Sequence, residues 1–210
     1  MEITLTHSEE QWQQARLNRF TASVIHKLMG NSRSGGLLSK TAETFVYEKA
    51  AELLTGQSKA IYGDALQWGK DYEAAAFEEF SKHFFQDWSY YGGETFAFIP
   101  YGQYSGYSPD GMSSDAILEI KCPYNSAIHL KNFQITDADS LLQMHPEYYW
   151  QMQLGMLATK LETGYFVSYD PRMPEGKQLH IAEIERHDLQ FEIDEKLSAA
   201  WELLQIILHS

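Results

Sequence analysis

The stretch that decides the fold is Ser108-Pro-Asp-Gly-Met-Ser-Ser-Asp-Ala-Ile-Leu-Glu-Ile-Lys-Cys-Pro123. Its second half is apolar and β-branched and stops at a proline, so it reads as a strand. Glu119 and Lys121 stand two residues apart on that strand and leave the same face. Asp110 closes the strand before it, and a tight hairpin through Gly111–Ala116 returns the chain alongside. Two carboxylates and one ammonium therefore converge at one end of a sheet. Carboxylates are hard oxygen ligands suited to Mg2+ or Mn2+. A lysine beside them can contact an anionic substrate or help to activate a water. The spacing alone, D-x8-E-x-K, also describes a surface hairpin with an ordinary salt bridge, so the neighbouring sequence has to decide.

Working outward, WSYYGG, TFAFIP and YSGYSPDG (residues 88–111) are short aromatic runs broken by Gly and Pro. With AILEIKCP they predict consecutive strands of an antiparallel meander. Upstream, Ser8 and Gln11 have capping-box spacing ahead of a helical pattern through Trp12, Ala15 and Leu17. A second short helix, SVIHKLM, stops at Gly30, and the loop NSRSGGLLS follows with Arg33 at its tip. Residues 41–55 form an amphipathic helix closed by Gly56, and residues 64–83 another. Downstream, Pro146 sits in a favourable first-turn position for a helix over 146–160. GYFVSYD and QLHIAEIE are two further strands, and 188–208 a terminal helix. The order predicts an α/β fold with a mixed central β-sheet flanked by helices. No repeat or low-complexity linker interrupts it, so residues 1–210 read as one domain.

Composition narrows the chemistry. Cys122 is the only cysteine among 210 residues, which excludes a disulfide scaffold, a four-cysteine zinc site and a cysteine-ligated iron–sulfur cluster within one chain. On its strand it reads as a small buried hydrophobe. The eight histidines form no HxH or HxxxH pair and read as structural or exposed. No run approaches the ~20 apolar residues of a membrane span, and the start lacks the pattern of a signal peptide, which points to a reducing cytoplasm. The formal net charge is -13, which on average repels nucleic acid. Its distribution is uneven: residues 1–60 hold seven basic and six acidic side chains, residues 61–210 nine and twenty-three. The first 60 residues are the part that tolerates a polyanion.

Four ordered blocks then raise the hairpin above a chance pattern. They are Arg16-Leu-Asn-Arg-Phe-Thr-Ala-Ser23; Ala65-Leu-Gln-Trp-Gly-Lys-Asp-Tyr-Glu73; Ser108-Pro-Asp-Gly111 with Leu118-Glu-Ile-Lys-Cys-Pro123; and Tyr148-Tyr-Trp-Gln-Met-Gln153, followed by Tyr169-Asp-Pro-Arg172. Pro109-Asp110 and Glu119-Ile120-Lys121 match the PD-(D/E)XK nuclease signature. The whole resembles the phage lambda-type alkaline exonucleases, a family of viral recombinases within that superfamily.

The resemblance implies a restriction-endonuclease-like core and assigns roles residue by residue. Asp110 and Glu119 would be metal-binding carboxylates, with the backbone carbonyl of Ile120 as a further ligand. Lys121 would orient or deprotonate the attacking water. Glu73 would serve a second ion or position water, and Gln151 would complete the site with Tyr148 one turn earlier. Arg16, Ser23 and Ser108 match positions that bind a 5′-terminal phosphate, and Ala65 and Leu66 an apolar wedge that parts the terminal base pair. Arg33 reads either as an ordinary loop tip or as an arm that tracks DNA. The chain departs from many related nucleases at Gly155, where they carry a tyrosine.

Phosphodiester hydrolysis suits these roles, because two divalent ions roughly 3.5–4 Å apart can activate water and stabilise the leaving oxygen. The resemblance implies a Mg2+-dependent 5′→3′ exonuclease of double-stranded DNA, with Mn2+ as a possible substitute. It would leave a 3′ overhang for a single-strand annealing protein and act as a homotrimer around a DNA channel. Two rivals stand beside this expectation: a site- or structure-specific endonuclease of the same superfamily, and an inactive module that binds DNA ends. The intact trio Asp110, Glu119 and Lys121 argues against the second.

Overall fold

The computed structural model describes residues 2–32, 35–56 and 63–210. In chain order it contains β1 (Thr4–Thr6), α1 (Glu9–Arg16), β2 (Phe20–Thr21), a 3-10 helix (Ala22–Lys27), α2 (Lys40–Thr55), α3 (Asp64–Ser81), β3 (Ser89–Tyr90), β4 (Phe96–Tyr101), β5 (Ser105–Tyr107), β6 (Gly111–Met112) and β7 (Ala116–Lys121). Then come α4 (Ser126–Asn132), α5 (Ala138–Met144), α6 (Pro146–Thr159), β8 (Thr163–Tyr169), β9 (Leu179–Glu185) and α7 (Gln190–His209). No helix among the described residues is long and apolar enough to cross a membrane.

The helix boundaries follow local chemistry. Ser8 caps α1 by accepting from the Gln11 amide at 3.2 Å, and Ser39 caps α2 in the same way through Ala42. Gly56 ends α2 at φ 65°, the left-handed conformation that glycine adopts without a Cβ clash. Pro146 opens α6 as the sequence predicts. The short helix expected before Gly30 is instead a 3-10 helix of six residues. Ile25 in it is fully buried in the main core, with Val24 packed alongside.

The meander is not what forms. β4 and β5 do make a hairpin, but they join β1 and β2 in a four-stranded sheet of order β1-β4-β5-β2. The chain then crosses at Ser108–Asp110 into a second sheet of order β3-β6-β7-β8-β9. Both are mixed, since β2 runs parallel to β5 and β7 parallel to β8. The α/β class and flanking helices stand, with two mixed sheets in place of one.

β7 is the middle strand of the five. Its Ile117 and Glu119 face a core shared with α6, while Leu118 and Ile120 face a smaller one with Ala76 and Phe80 of α3. Both faces are covered, which is why AILEIK reads as a nearly unbroken apolar run. A carboxylate in the middle of such a strand must be buried, and Glu119 has no exposed surface.

Candidate active site

Glu119 is held by three elements. Its Oε1 accepts from Lys121 Nζ and from Gln151 Nε2 of α6, each at 2.5 Å, and its Oε2 from Tyr107 Oη at 3.4 Å. Asp110 lies just before β6, and its Oδ2 accepts from the Ile120 amide at 2.7 Å, which latches the crossing to β7. Tyr148 lies one turn ahead of Gln151, with its ring centroid 4.8 Å from Lys121 Nζ. Glu73 enters from α3, and its Oε1 accepts from Tyr90 Oη at 3.1 Å. Gly92 makes room for that bond: a Cβ there would lie 2.1 Å from Tyr90 Oη and 2.7 Å from Glu73 Oε1.

The electrostatics are those of a crowded acid cluster. Burial, with Asp110 adding its charge, pushes Glu119 up to about 7. Burial and then Asp110 push Glu73 up to about 8, and burial raises Asp110. Burial would strip the proton from Lys121, but Glu119 and Asp110 outweigh it and hold the ammonium charged. One cation faces three carboxylates.

That excess of buried negative charge, carried by hard oxygen donors, fits a divalent cation. Asp110 and Glu119 are the carboxylates that could hold one. Among the described residues no three His, Cys, Asp or Glu side chains are assembled at ligand spacing. Glu73 is within electrostatic reach of the pair but bonded to Tyr90, so a three-carboxylate, two-ion cage is not preassembled.

The second cluster begins two residues before Asp110. Arg16, at the end of α1, forks to Ser108 Oγ at 3.1 Å and Ser23 Oγ at 3.4 Å. Its guanidinium lies 4.1 Å from the Trp12 ring centroid, and the Trp12 indole donates to Ser108 Oγ at 2.9 Å. Burial lowers Arg16 to about 10 against the pull of Glu119, which leaves it charged at neutral pH. A cavity of about 300 Å³ is lined by Trp12 and Ser108 of this cluster and by Glu73, Tyr90 and Asp110 of the first.

The structure thus brings together Asp110, Glu119, Ile120, Lys121, Gln151 and Tyr148, with Glu73 alongside, and separately Arg16, Ser23 and Ser108. Ala65 and Leu66 are exposed on the first turn of α3, away from these bonds. Arg33 lies outside the described residues. Cys122 falls just past β7 and is half-buried instead of buried, its thiol pushed up to about 12 by burial.

Sequence reasoning missed Trp12, Tyr90, Gly92 and Tyr107. Aromatic residues in strands look like ordinary core, and nothing in their spacing marks them. The departure at Gly155 was the one available signal. A Cβ at Gly155 would lie 2.9 Å from the ring of Tyr107, so the glycine gives Tyr107 the space from which it reaches Glu119.

Comparison with known proteins places the fold. The alkaline exonuclease LHK-Exo of Laribacter hongkongensis superposes with a TM-score of 0.78 at 28% identity, over 95% of this chain and 94% of that chain. The structure of LHK-Exo in complex with dAMP gives 0.77 at 29% identity over the same shares. A phage-related exonuclease of Haemophilus somnus 129PT shares the fold, with a TM-score of 0.74 at 18% identity over 93% of this chain and 98% of that chain. No curated protein matches in sequence. The family model of the YqaJ-like viral recombinase domain matches residues 11–162. That span holds the acid cluster and the Arg16 cluster alike, and with it the chain belongs to the YqaJ-like viral recombinase domain family.

Proposed function

We propose that the chain is a Mg2+-dependent 5′→3′ exonuclease that digests one strand of linear double-stranded DNA to mononucleotides. The observation that carries this reading is adjacency. Ser108, which takes one prong of the half-buried Arg16 fork, lies two residues before Asp110, and Ser108 and Asp110 line the same cavity of about 300 Å³. A terminal phosphate gripped by Arg16, Ser23 and Ser108 places the next phosphodiester beside Asp110 and Glu119. That arrangement selects an end and removes one nucleotide, and the complex of LHK-Exo with dAMP, a mononucleotide, supports the same product class.

A bound divalent ion supplies charge neutralisation at the reacting phosphate and acidifies water for attack. Asp110 and Glu119 would hold that ion with the Ile120 carbonyl, and Glu73 would serve a second. Lys121 and Gln151 orient Glu119 through its Oε1, and the Lys121 ammonium offers charge to a non-bridging phosphate oxygen. Tyr107 fixes the other carboxylate oxygen of Glu119, and Tyr90 one oxygen of Glu73. In this reading residues 1–210 act as one cytoplasmic nuclease domain and assemble as a homotrimer. The product is a 3′ overhang for a single-strand annealing protein in phage-type DNA recombination, and Mn2+ can replace Mg2+. Ala65 and Leu66 form the strand-separating wedge, and Arg33 contacts DNA.

The test is digestion of linear duplex, with 5′-phosphate or 5′-hydroxyl ends, beside a covalently closed circle, in Mg2+ or in chelator. Mononucleotides should appear from the linear substrate only, in Mg2+ only, and faster from the phosphorylated end. Arg16→Ala should remove most of that end preference, a factor of ~10 for one charge-assisted fork. Cleavage of the circle would replace this reading with an endonuclease, and inactivity on every substrate would leave an end-binding module.

A further inference from the structure

The segment Tyr169-Asp-Pro-Arg172 has no part in the chemistry above, yet it is one of the most densely bonded places in the molecule. Asp170 is fully buried. Arg172 grips it with Nε on Oδ1 and Nη2 on Oδ2, both at 2.8 Å, while the Arg172 amide and Ser126 Oγ add bonds of 3.0 and 2.7 Å. The same guanidinium donates to the carbonyls of Tyr124 at 2.9 Å and Pro123 at 3.4 Å, in the loop that leaves Lys121. Its flat face lies 4.1 Å from the ring centroid of Trp68 on α3. None of these bonds goes to Glu73, Asp110 or Glu119.

Trp68 is the other half of the device. Its indole nitrogen is buried and has no hydrogen-bond partner among the described residues. Ring contacts hold the indole in place of a hydrogen bond: Arg172 on its face, Tyr72 at 4.2 Å and Tyr124 edge-on at 5.8 Å. Trp68 is in the first turns of α3, two residues after Leu66. Residues two apart on a helix project about 200° from each other. Anchoring the indole inward thus turns Leu66 outward, where it is 47% exposed.

We propose that Arg172 is a positioning residue: by clamping Trp68 it fixes the first turn of α3 and so sets where Leu66 meets the terminal base pair of the duplex. The inference rests on the exonuclease reading and on Leu66 as its wedge. Lysine cannot replace arginine here. It keeps the charge but has neither the two-pronged fork for Asp170 nor a plane to lay on the indole.

The test compares single-turnover digestion, in Mg2+, of a 5′-phosphorylated duplex with a fully paired end and one whose last two base pairs are mismatched. A misplaced wedge slows only the substrate that must be opened. Arg172→Lys should lower the rate at the paired end at least ~10-fold and leave the mismatched end within about twofold of wild type. Trp68→Leu should give the same pattern, and it carries the test if the arginine variant does not fold. Equal losses on both ends, or no loss at the paired end, overturn the proposal. Wild-type protein inactive on both ends would instead defeat the exonuclease reading itself.

Discussion

Two acidic sites lie near the C-terminal end of β7, and their carboxyls shift in opposite directions. Burial alone would raise Asp170, but the Arg172 fork, Ser126 and the Arg172 amide more than offset it and hold the carboxyl at about 2. Burial pushes Glu119 and Glu73 up to about 7 and 8, Asp110 adds its charge to both, and Lys121 does not offset the two. The same chemical group is satisfied in one place and left short of positive charge in the other. The first arrangement holds the fold together. The second is tolerated at a cost in stability and makes sense where a cation is to be bound.

Neutralising one acid at each site should therefore give opposite results. Asp110→Asn keeps an oxygen to accept from the Ile120 amide while removing a charge. Nuclease turnover should fall by a factor of ~10³ or more, since a metal-holding carboxylate is lost. Without divalent ions, the same variant should be more stable than wild type by on the order of 1 kcal/mol at neutral pH, or a few degrees in Tm. Digestion assays and thermal melts in chelator check both halves. A variant that loses activity and also melts early would mean that Asp110 is structural.

Asp170→Asn should do the reverse. It breaks the bidentate pair and leaves Arg172 without its main anion, which for a buried carboxylate paired with a partly exposed arginine costs on the order of 2–3 kcal/mol. The Tm should drop by roughly 6–10 °C, while the metal dependence of the remaining activity is unchanged. If the variant melts with wild type, the clamp is ornamental and the contrast between the two sites collapses.

How much of this was legible depends on how local the cause is. The alternation of Glu119 and Lys121, the Ser8 cap, Gly56 and Pro146 are all set by neighbours within four residues, and each appears where expected. The two-sheet split was not legible. β4 pairs with β1, some ninety residues earlier, and the break at Pro109-Asp110-Gly111 reads as one more turn of a meander, with nothing local to mark a change of sheet. α4 and α5 have seven residues each, too few for a 3.6-residue period to show, and both went unseen. β1 and β2 are only three and two residues long. At the site, the ordered blocks carried the acids and the arginine fork. Tyr107, Tyr90 and Trp12 stayed hidden because their contacts are long-range and their residue type is what a core uses anyway. Arg172 was visible as part of a block, and Asp170 beside it, but its other partners are 48 to 104 residues away, at Tyr124, Pro123 and Trp68.

The smallest expected effect is also the most direct measure of the contrast, because it reads the Asp170 shift itself. An unfolded aspartate titrates near 3.9, whereas in the folded chain Asp170 is held at about 2. Between those values the unfolded state binds more protons, so stability rises with pH there. The contribution is complete above about pH 5 and is lost as pH falls through 4 towards 2. A depression of this size is on the order of 2 kcal/mol. Urea unfolding of wild type and Asp170→Asn from pH 7 down to about 2.5 isolates it, since carboxylates common to both chains, Asp137 included, cancel in the difference. The stability gap between the two should narrow by about 2 kcal/mol across that range, with most of the change below pH 4. A gap that stays constant with pH would show that the native clamp does not depend on an ionised Asp170, and that the two acidic sites differ in geometry but not in charge.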